Sequence, residues 1–191
     1  MEKGGLADAL TRAGVTTPAG LVWADEMRLG LRGLVRRVWA PRGVKVRQAQ
    51  VLTYVWRYLA LAVNGLTGTL RWTWTTSMKK EAIAAVVSEW QGAGLGAVVW
   101  DGAASHRARI VRALGLPLIT QPPAAPELNP AERVFEELRR AVEGRTYPTL
   151  EAKMAVVDQE LQALAADPDR VRRLTGWAWI TEALTPFMVN S

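Results

Sequence analysis

Leu95-Gly96-Ala97-Val98-Val99-Trp100-Asp101 is a short apolar run that stops on a carboxylate. A run of this length and composition reads as a strand buried on both faces. A second run of the same kind, Leu21-Val22-Trp23-Ala24, stops on Asp25-Glu26. In open α/β sheets, ligands gather just beyond the carboxyl ends of the strands. Two such strands lying side by side bring both aspartates into one pocket.

Downstream of the decisive run, Ser105 caps a helix reaching Leu114, with Gly115 as its stop. Pro117 to Thr120 reads as another short strand and Gln121 to Pro126 as a Pro-rich loop. Asn129-Pro130 then opens a helix, a favoured cap followed by a favoured first residue. Val134, Phe135, Leu138 and Val142 form its apolar stripe. Upstream, Met78 to Gln91 has helical periodicity. Leu52 to Val63 and Thr67 to Thr75 are rich in β-branched and aromatic residues around Asn64-Gly65, a strong hairpin signal. Val35 to Ala40 and Val44 to Arg47 flank a Pro41-Arg42-Gly43 turn and read as paired strands. A short helix and loop occupy residues 1–19, and two helices close the chain at 149–166 and 169–185. The order predicts an α/β domain, a mixed sheet flanked by helices. Residues 1–20 form a lead-in, 21–148 the core, and 149–191 C-terminal helices packing on that core.

The 191 residues suit one compact domain, and 49% apolar with 22% charged residues is a globular balance. No run of apolar residues is long enough to span a membrane, and the start lacks a signal peptide. There is no cysteine, hence no disulfide and no thiolate metal site. A cytosolic home is expected. The net charge is +6, and 19 of the 24 basic residues are Arg, the side chain that forks onto phosphate. That leans towards nucleic acid. GC-rich codon usage produces the same bias, so composition alone leaves both readings open.

Two carboxylates in one pocket suit a hard cation such as Mg²⁺, which takes oxygen ligands and keeps several waters. Two such ions, roughly 3.5–4 Å apart, activate the attacking oxygen and stabilise the leaving oxygen in phosphodiester chemistry. Each residue also has a structural reading. An Asp after a strand is commonly a turn residue or a cap. Asn129 and Glu132 have the spacing of a capping box. His106, the only histidine, stands at the opening of a helix. Trp72 and Trp74 alternate on one strand, as core residues or as a stacking face.

Gln121-Pro122-Pro123-Ala124-Ala125-Pro126-Glu127-Leu128-Asn129-Pro130-Ala131-Glu132 resembles the Pro-Pro-x-x-Pro-x-Leu-Asn-Pro-x-Glu signature of mariner-like bacterial insertion-sequence transposases. Val98 to His106 is similar to that family's second motif, Asp-(Asn/Gly)-Ala-x-x-His, and Trp23 to Arg28 resembles the first. The resemblance implies a ribonuclease H-like DDE catalytic domain with two Mg²⁺ or Mn²⁺ ions. It implies cleavage of DNA at transposon ends and transfer of the 3′-hydroxyl into target DNA, typically at a TA step. Asp25, Asp101 and Glu132 match the metal-binding catalytic acids. His106 matches the motif histidine in a supporting role, and Asn129 supports by fixing the start of the helix that carries Glu132. The implied partners are double-stranded DNA, a separate DNA-recognition domain or subunit, and a second copy of the chain, with no membrane. The implied setting is the bacterial cytoplasm, at the nucleoid.

Three departures stand out. The spacing from Asp101 to Glu132 is short by about four residues, roughly one helical turn, which a shortened helix after Ser105 accounts for. Ala124-Ala125 replaces the usual Tyr-Ser. Only 24 residues precede Asp25, where the family carries a helix-turn-helix region. The missing region gives weight to an alternative, a remnant or domesticated domain that binds DNA or a partner without cutting. A stand-alone nuclease of junction-resolvase type is a third reading, and the Pro-Pro to Asn-Pro-x-Glu signature weighs against it.

Overall fold

The computed structural model describes residues 5–33, 39–47, 51–123 and 125–188. Its elements run α1 (Gly5–Arg12), β1 (Leu21–Gly30), β2 (Trp56–Val63), β3 (Leu70–Thr75), α2 (Lys80–Gly92), β4 (Ala97–Trp100), α3 (Arg109–Arg112) and β5 (Leu118–Thr120). After a 3₁₀ turn at Pro126–Leu128 come α4 (Ala131–Val142), α5 (Leu150–Ala165), α6 (Pro168–Thr175) and α7 (Ala178–Met188). One mixed sheet of order β3-β2-β1-β4-β5 carries them. β1, β2 and β3 form an antiparallel meander, while β4 and β5 lie parallel to β1. The two apolar runs that end on aspartate are therefore neighbours.

Strand alternation sorts the core into two layers. Leu21, Trp23, Leu59, Leu61, Val63, Ala97 and Val99 face a large cluster shared with α1, α4, α5, α6 and α7. Val22, Ala24, Ala60, Ala62, Val98 and Trp100 face the opposite cluster, with Ile83, Val87 and Trp90 of α2. The three alanines at the middle of that second face leave room for α2 to lie close to the sheet. β1 is buried on both sides at Leu21 to Ala24, as its unbroken apolar run requires.

Several boundaries differ from the sequence reading. The Asn64-Gly65 turn is not a two-residue hairpin. Val63 pairs with Leu70, leaving a six-residue loop. Asn64 Oδ1 accepts from the Leu66 and Thr67 amides at 2.8 and 3.0 Å, and its Nδ2 donates to the Pro18 and Ala19 carbonyls. The asparagine thus folds its own loop and ties it to the chain entering β1. The strand expected from Leu52 begins only at Trp56, and Val44 to Arg47 is not a strand. Val44, Val46, Leu52 and Tyr54 are all more than half exposed, so β-forming composition finds no surface to pack on. The partner strand expected at 35–40 falls mostly on 34–38, outside the described residues. The helix expected from Ser105 shrinks to the single turn α3, because residues 103–107 wrap around Asp101 instead. The helix expected over 169–185 breaks at Gly176, whose Cβ would lie 2.7 Å from the carbonyl oxygens of Gly65 and Arg172.

Gly68 lies at φ +74°, and a Cβ there would run into the Pro168 backbone at the start of α6. Gly68→Ala is therefore expected to destabilise the protein by about 2 kcal/mol or more, combining a left-handed backbone with a clash that only backbone movement relieves. Urea unfolding of parent and variant measures it. A loss below about 0.5 kcal/mol would show that the loop relaxes freely.

Candidate active site

Three carboxylates from distant parts of the chain open into one cleft of about 570 Å³, lined by Asp25, Asp101 and Glu132 with Arg107, Gln121 and Asn129. The sheet register explains the first two. Trp23 pairs with Val99 in the parallel β1–β4 ladder, so two residues further on, Asp25 and Asp101 stand at the same level. Both continue the face that carries Trp23 and Val99, the side on which α4 packs. Asp25 does not end its strand as the sequence suggested. β1 runs on to Gly30, paired only with β2, with Asp25 opposite Leu61. The parallel ladder to β4 is what stops, and the cleft opens where these two strands part.

The third carboxylate arrives on α4. Asn129 is extended, and its Oδ1 accepts from the Ala131 amide at 3.1 Å, so it caps the helix as expected. Pro130 already has helical angles, φ −64° and ψ −18°. The amide nitrogen of Asn129 reaches back across the sheet, donating to the Ala24 carbonyl at 3.0 Å and to Asp25 Oδ2 at 3.3 Å. Asn129 is 2% exposed. One buried side chain therefore starts α4 and pins it beside Asp25. The capping box is only half formed, because the Glu132 carboxylate turns to the Arg139 guanidinium at 3.4 Å, two turns along the same helix. Both partners are about one-third exposed, so this pair holds Glu132 weakly.

Asp101, itself exposed, is fixed from behind. Its Oδ1 accepts from the Ala103 amide at 3.0 Å and from His106 Nδ1 at 2.6 Å. His106 is buried and stacks on Trp100, ring centroids 4.0 Å apart and 18° from parallel. Its other nitrogen, Nε2, faces Glu26 Oε1 at 3.3 Å, an ion-pair distance without hydrogen-bond alignment. Burial alone pulls the imidazole pKa down, but the two flanking carboxylates outweigh it and raise it above its ordinary value. Glu26 is the residue that sequence reading left without a role. Alternation was the available signal, since it puts Glu26 on the opposite face from Asp25, on the side of Trp100.

Burial is the main cause that pushes the Asp25 carboxyl up to about 7. A hydrogen bond from the Glu26 amide opposes it, and the charges of Glu26, Glu132 and Asp101 add to the rise. Crowded negative charge of this kind is what a divalent cation relieves, and an all-oxygen donor set is what Mg²⁺ or Mn²⁺ prefers. Among the described residues, no three acidic or histidine side chains approach closely enough to enclose an ion. Asp101 leans on His106 and Glu132 on Arg139. The donor chemistry of the cleft fits such an ion. Trp72 and Trp74 are half-buried and pack against the core. Both indole nitrogens donate to Asp158 Oδ1 beneath α5, at 3.2 and 2.9 Å. Among the described residues, no helix is long and apolar enough to cross a membrane.

A family model described as DDE superfamily endonuclease matches residues 20–152. No curated protein sequence matches the chain significantly. Among solved structures, the Mos1 transposase paired-end complex with left transposon end aligns at TM-score 0.64 and 14% identity, covering 95% of this chain and 59% of that one. The Mos1 mariner paired-end complex with Mn aligns at 0.64 and 13%, covering 93% and 59%. The complex with Mg aligns at 0.64 and 14%, covering 96% and 57%. The chain thus spans under three-fifths of these proteins. The likeness shows the fold, a ribonuclease H-like mixed sheet flanked by helices.

Proposed function

The chain belongs to the DDE superfamily of endonucleases, and on that premise we propose that it is a transposase catalytic domain of the mariner-like insertion-sequence type. In this reading it cleaves DNA at transposon ends and transfers the freed 3′-hydroxyl into target DNA. The observation that carries the reading is the single cleft into which Asp25, Asp101 and Glu132 all open. The Mos1 complexes with a transposon end, with Mn and with Mg lend support from the same fold.

Asp25, Asp101 and Glu132 would hold two Mg²⁺ or Mn²⁺ ions. Such ions, when bound, polarise the phosphodiester, activate the attacking oxygen and stabilise the leaving one. The chain's own groups supply position and charge. Asp25 and Asp101 stand level on adjacent strands, and Asn129 keeps α4 at the height that brings Glu132 to the same cleft. Arg107 lines the same cleft and offers a forked donor to a phosphate. Glu132 leaves Arg139 to join the other two acids, which frees that guanidinium for the DNA backbone as well.

The deciding experiment uses labelled DNA with Mn²⁺. Nicking that depends on the metal separates this reading from a binding-only remnant, and joining of a labelled 3′ end to a second duplex separates it from a simple nuclease. A chain that binds DNA but neither nicks nor joins would overturn it. Binding to generic duplex is expected to be steeply salt-dependent, because several of the 19 Arg residues meet phosphates and release counterions. With several phosphates engaged, affinity falls on the order of 10²-fold or more between about 50 and 200 mM salt. Fluorescence anisotropy at the two salt concentrations checks this, and a flat response would rule out a phosphate-dominated interface.

A further inference from the structure

The back of the sheet carries a chain of polar side chains that the cleft itself does not use. Glu26 is adjacent to Asp25 in sequence but points to the other face of β1, where its side chain is 7% exposed. It faces His106 Nε2 at 3.3 Å, and His106 Nδ1 meets Asp101 Oδ1 at 2.6 Å. The ring is clamped in its plane by Trp100, the residue immediately before Asp101. A buried glutamate so placed has no ladder, cap or surface role to explain it. The line of contacts runs from Asp25 to Glu26 through the backbone, from Glu26 to His106, and from His106 to Asp101.

We propose that Glu26 and His106 are positioning residues that tie Asp101 to Asp25 from behind the sheet and so set the spacing of the metal-binding pair. This rests on the assignment of Asp25 and Asp101 as metal ligands. The physical case is one of preorganisation. Asp101 lies past the end of β4 with an exposed side chain, so the ladder does not fix its rotamer. The short bond from His106 holds Oδ1. The imidazole keeps its own orientation only because Trp100 stacks on one face and Glu26 meets its far nitrogen. Glu26 in turn moves with Asp25, since the two share a peptide bond. Groups of this kind, one bond removed from a metal ligand, typically alter metal affinity by about 10- to 100-fold when removed.

The test is Mn²⁺ binding to the full chain, followed by the paramagnetic resonance signal of the free ion. His106→Ala and Glu26→Ala are each expected to weaken Mn²⁺ binding by about tenfold or more. His106→Asn, whose amide nitrogen overlays the imidazole Nδ1 position, should recover part of the loss, and Glu26→Gln should lose less than Glu26→Ala. A role confined to packing predicts instead lowered melting temperatures with Mn²⁺ affinity unchanged, and that result overturns the proposal. If an alanine variant fails to fold, the isosteric pair His106→Asn and Glu26→Gln decides. Asp101→Asn is the control. Parent binding that Asp101→Asn loses but the His106 and Glu26 variants keep would sink this inference alone. A parent that binds no Mn²⁺, or an Asp101→Asn that binds as the parent does, would sink the assignment of the metal ligands along with it.

Discussion

Asp101→Asn is expected to lower metal-dependent DNA cleavage about a thousandfold while leaving the fold in place. The amide carries no charge, and a metal-bound carboxylate supports several kcal/mol of charge stabilisation in a phosphoryl-transfer transition state. At 1.36 kcal/mol per factor of ten, about 4 kcal/mol corresponds to that loss. The fold survives because Asp101 is half exposed. Its contacts with the Ala103 amide and His106 pass through Oδ1, which an asparagine oxygen reproduces. Asp25→Asn should cost as much activity. Cleavage rates on labelled DNA, with circular dichroism melts of the same preparations, provide the measurement. Residual cleavage within tenfold of the parent would remove these acids from the chemistry.

The second expected result is a metal-free protein that becomes less stable as pH rises from about 4 to about 7. The Asp25 carboxyl titrates near 3.8 when unfolded and at about 7 in the fold. Across that window the folded state holds a proton that the unfolded chain has released, so raising pH favours unfolding. His106 acts in the same direction but higher. Its raised pKa gives stability that is complete below about 6.5 and lost as pH passes its folded value. Mn²⁺ should oppose the trend by binding the deprotonated site, adding about 2.7 kcal/mol at a hundredfold over its dissociation constant. Asp25→Asn removes the lower window and leaves the upper one. Melts between pH 4 and 8, with and without Mn²⁺, test both parts. An identical slope in parent and Asp25→Asn would mean that the buried proton sits on another group.

The two aspartates were legible as candidates because each stops a short apolar run, a place that a turn residue or cap fills just as readily, and it is the register that sets Asp25 level with Asp101. The start of α4 was legible because Asn-Pro is a local signal whose meaning survives in any fold. What escaped reading depended on contacts distant in sequence. The loop after Asn64 follows from where α6 passes, which no local pattern at Asn64-Gly65 reports. The break at Gly176 follows from the same approach. The helix after Ser105 was overestimated because Asp101 and His106 draw that segment into a turn. Glu26 was passed over because the strand was read as ending at Asp25, whereas β1 runs on to Gly30 and alternation carries Glu26 to its other face. The exposed apolar residues between Val44 and Tyr54 read as strand because composition registers β-propensity but not whether a surface is present to receive it.

The bond from Asn129 to the Ala24 carbonyl joins residues 105 positions apart, and this has a kinetic consequence. Contacts so remote along the chain form late, because the intervening loop must be closed before they contribute anything. The meander β1–β2–β3 needs only residues up to Thr75 and assembles on shorter loops. Pairing β4 with β1 closes a longer loop, and seating α4 beside Asp25 closes one longer still before Glu132 reaches the cleft. During synthesis, a chain that has not yet emerged past Asn129 holds the first strand with its Ala24 carbonyl unmet and no third carboxylate at the cleft.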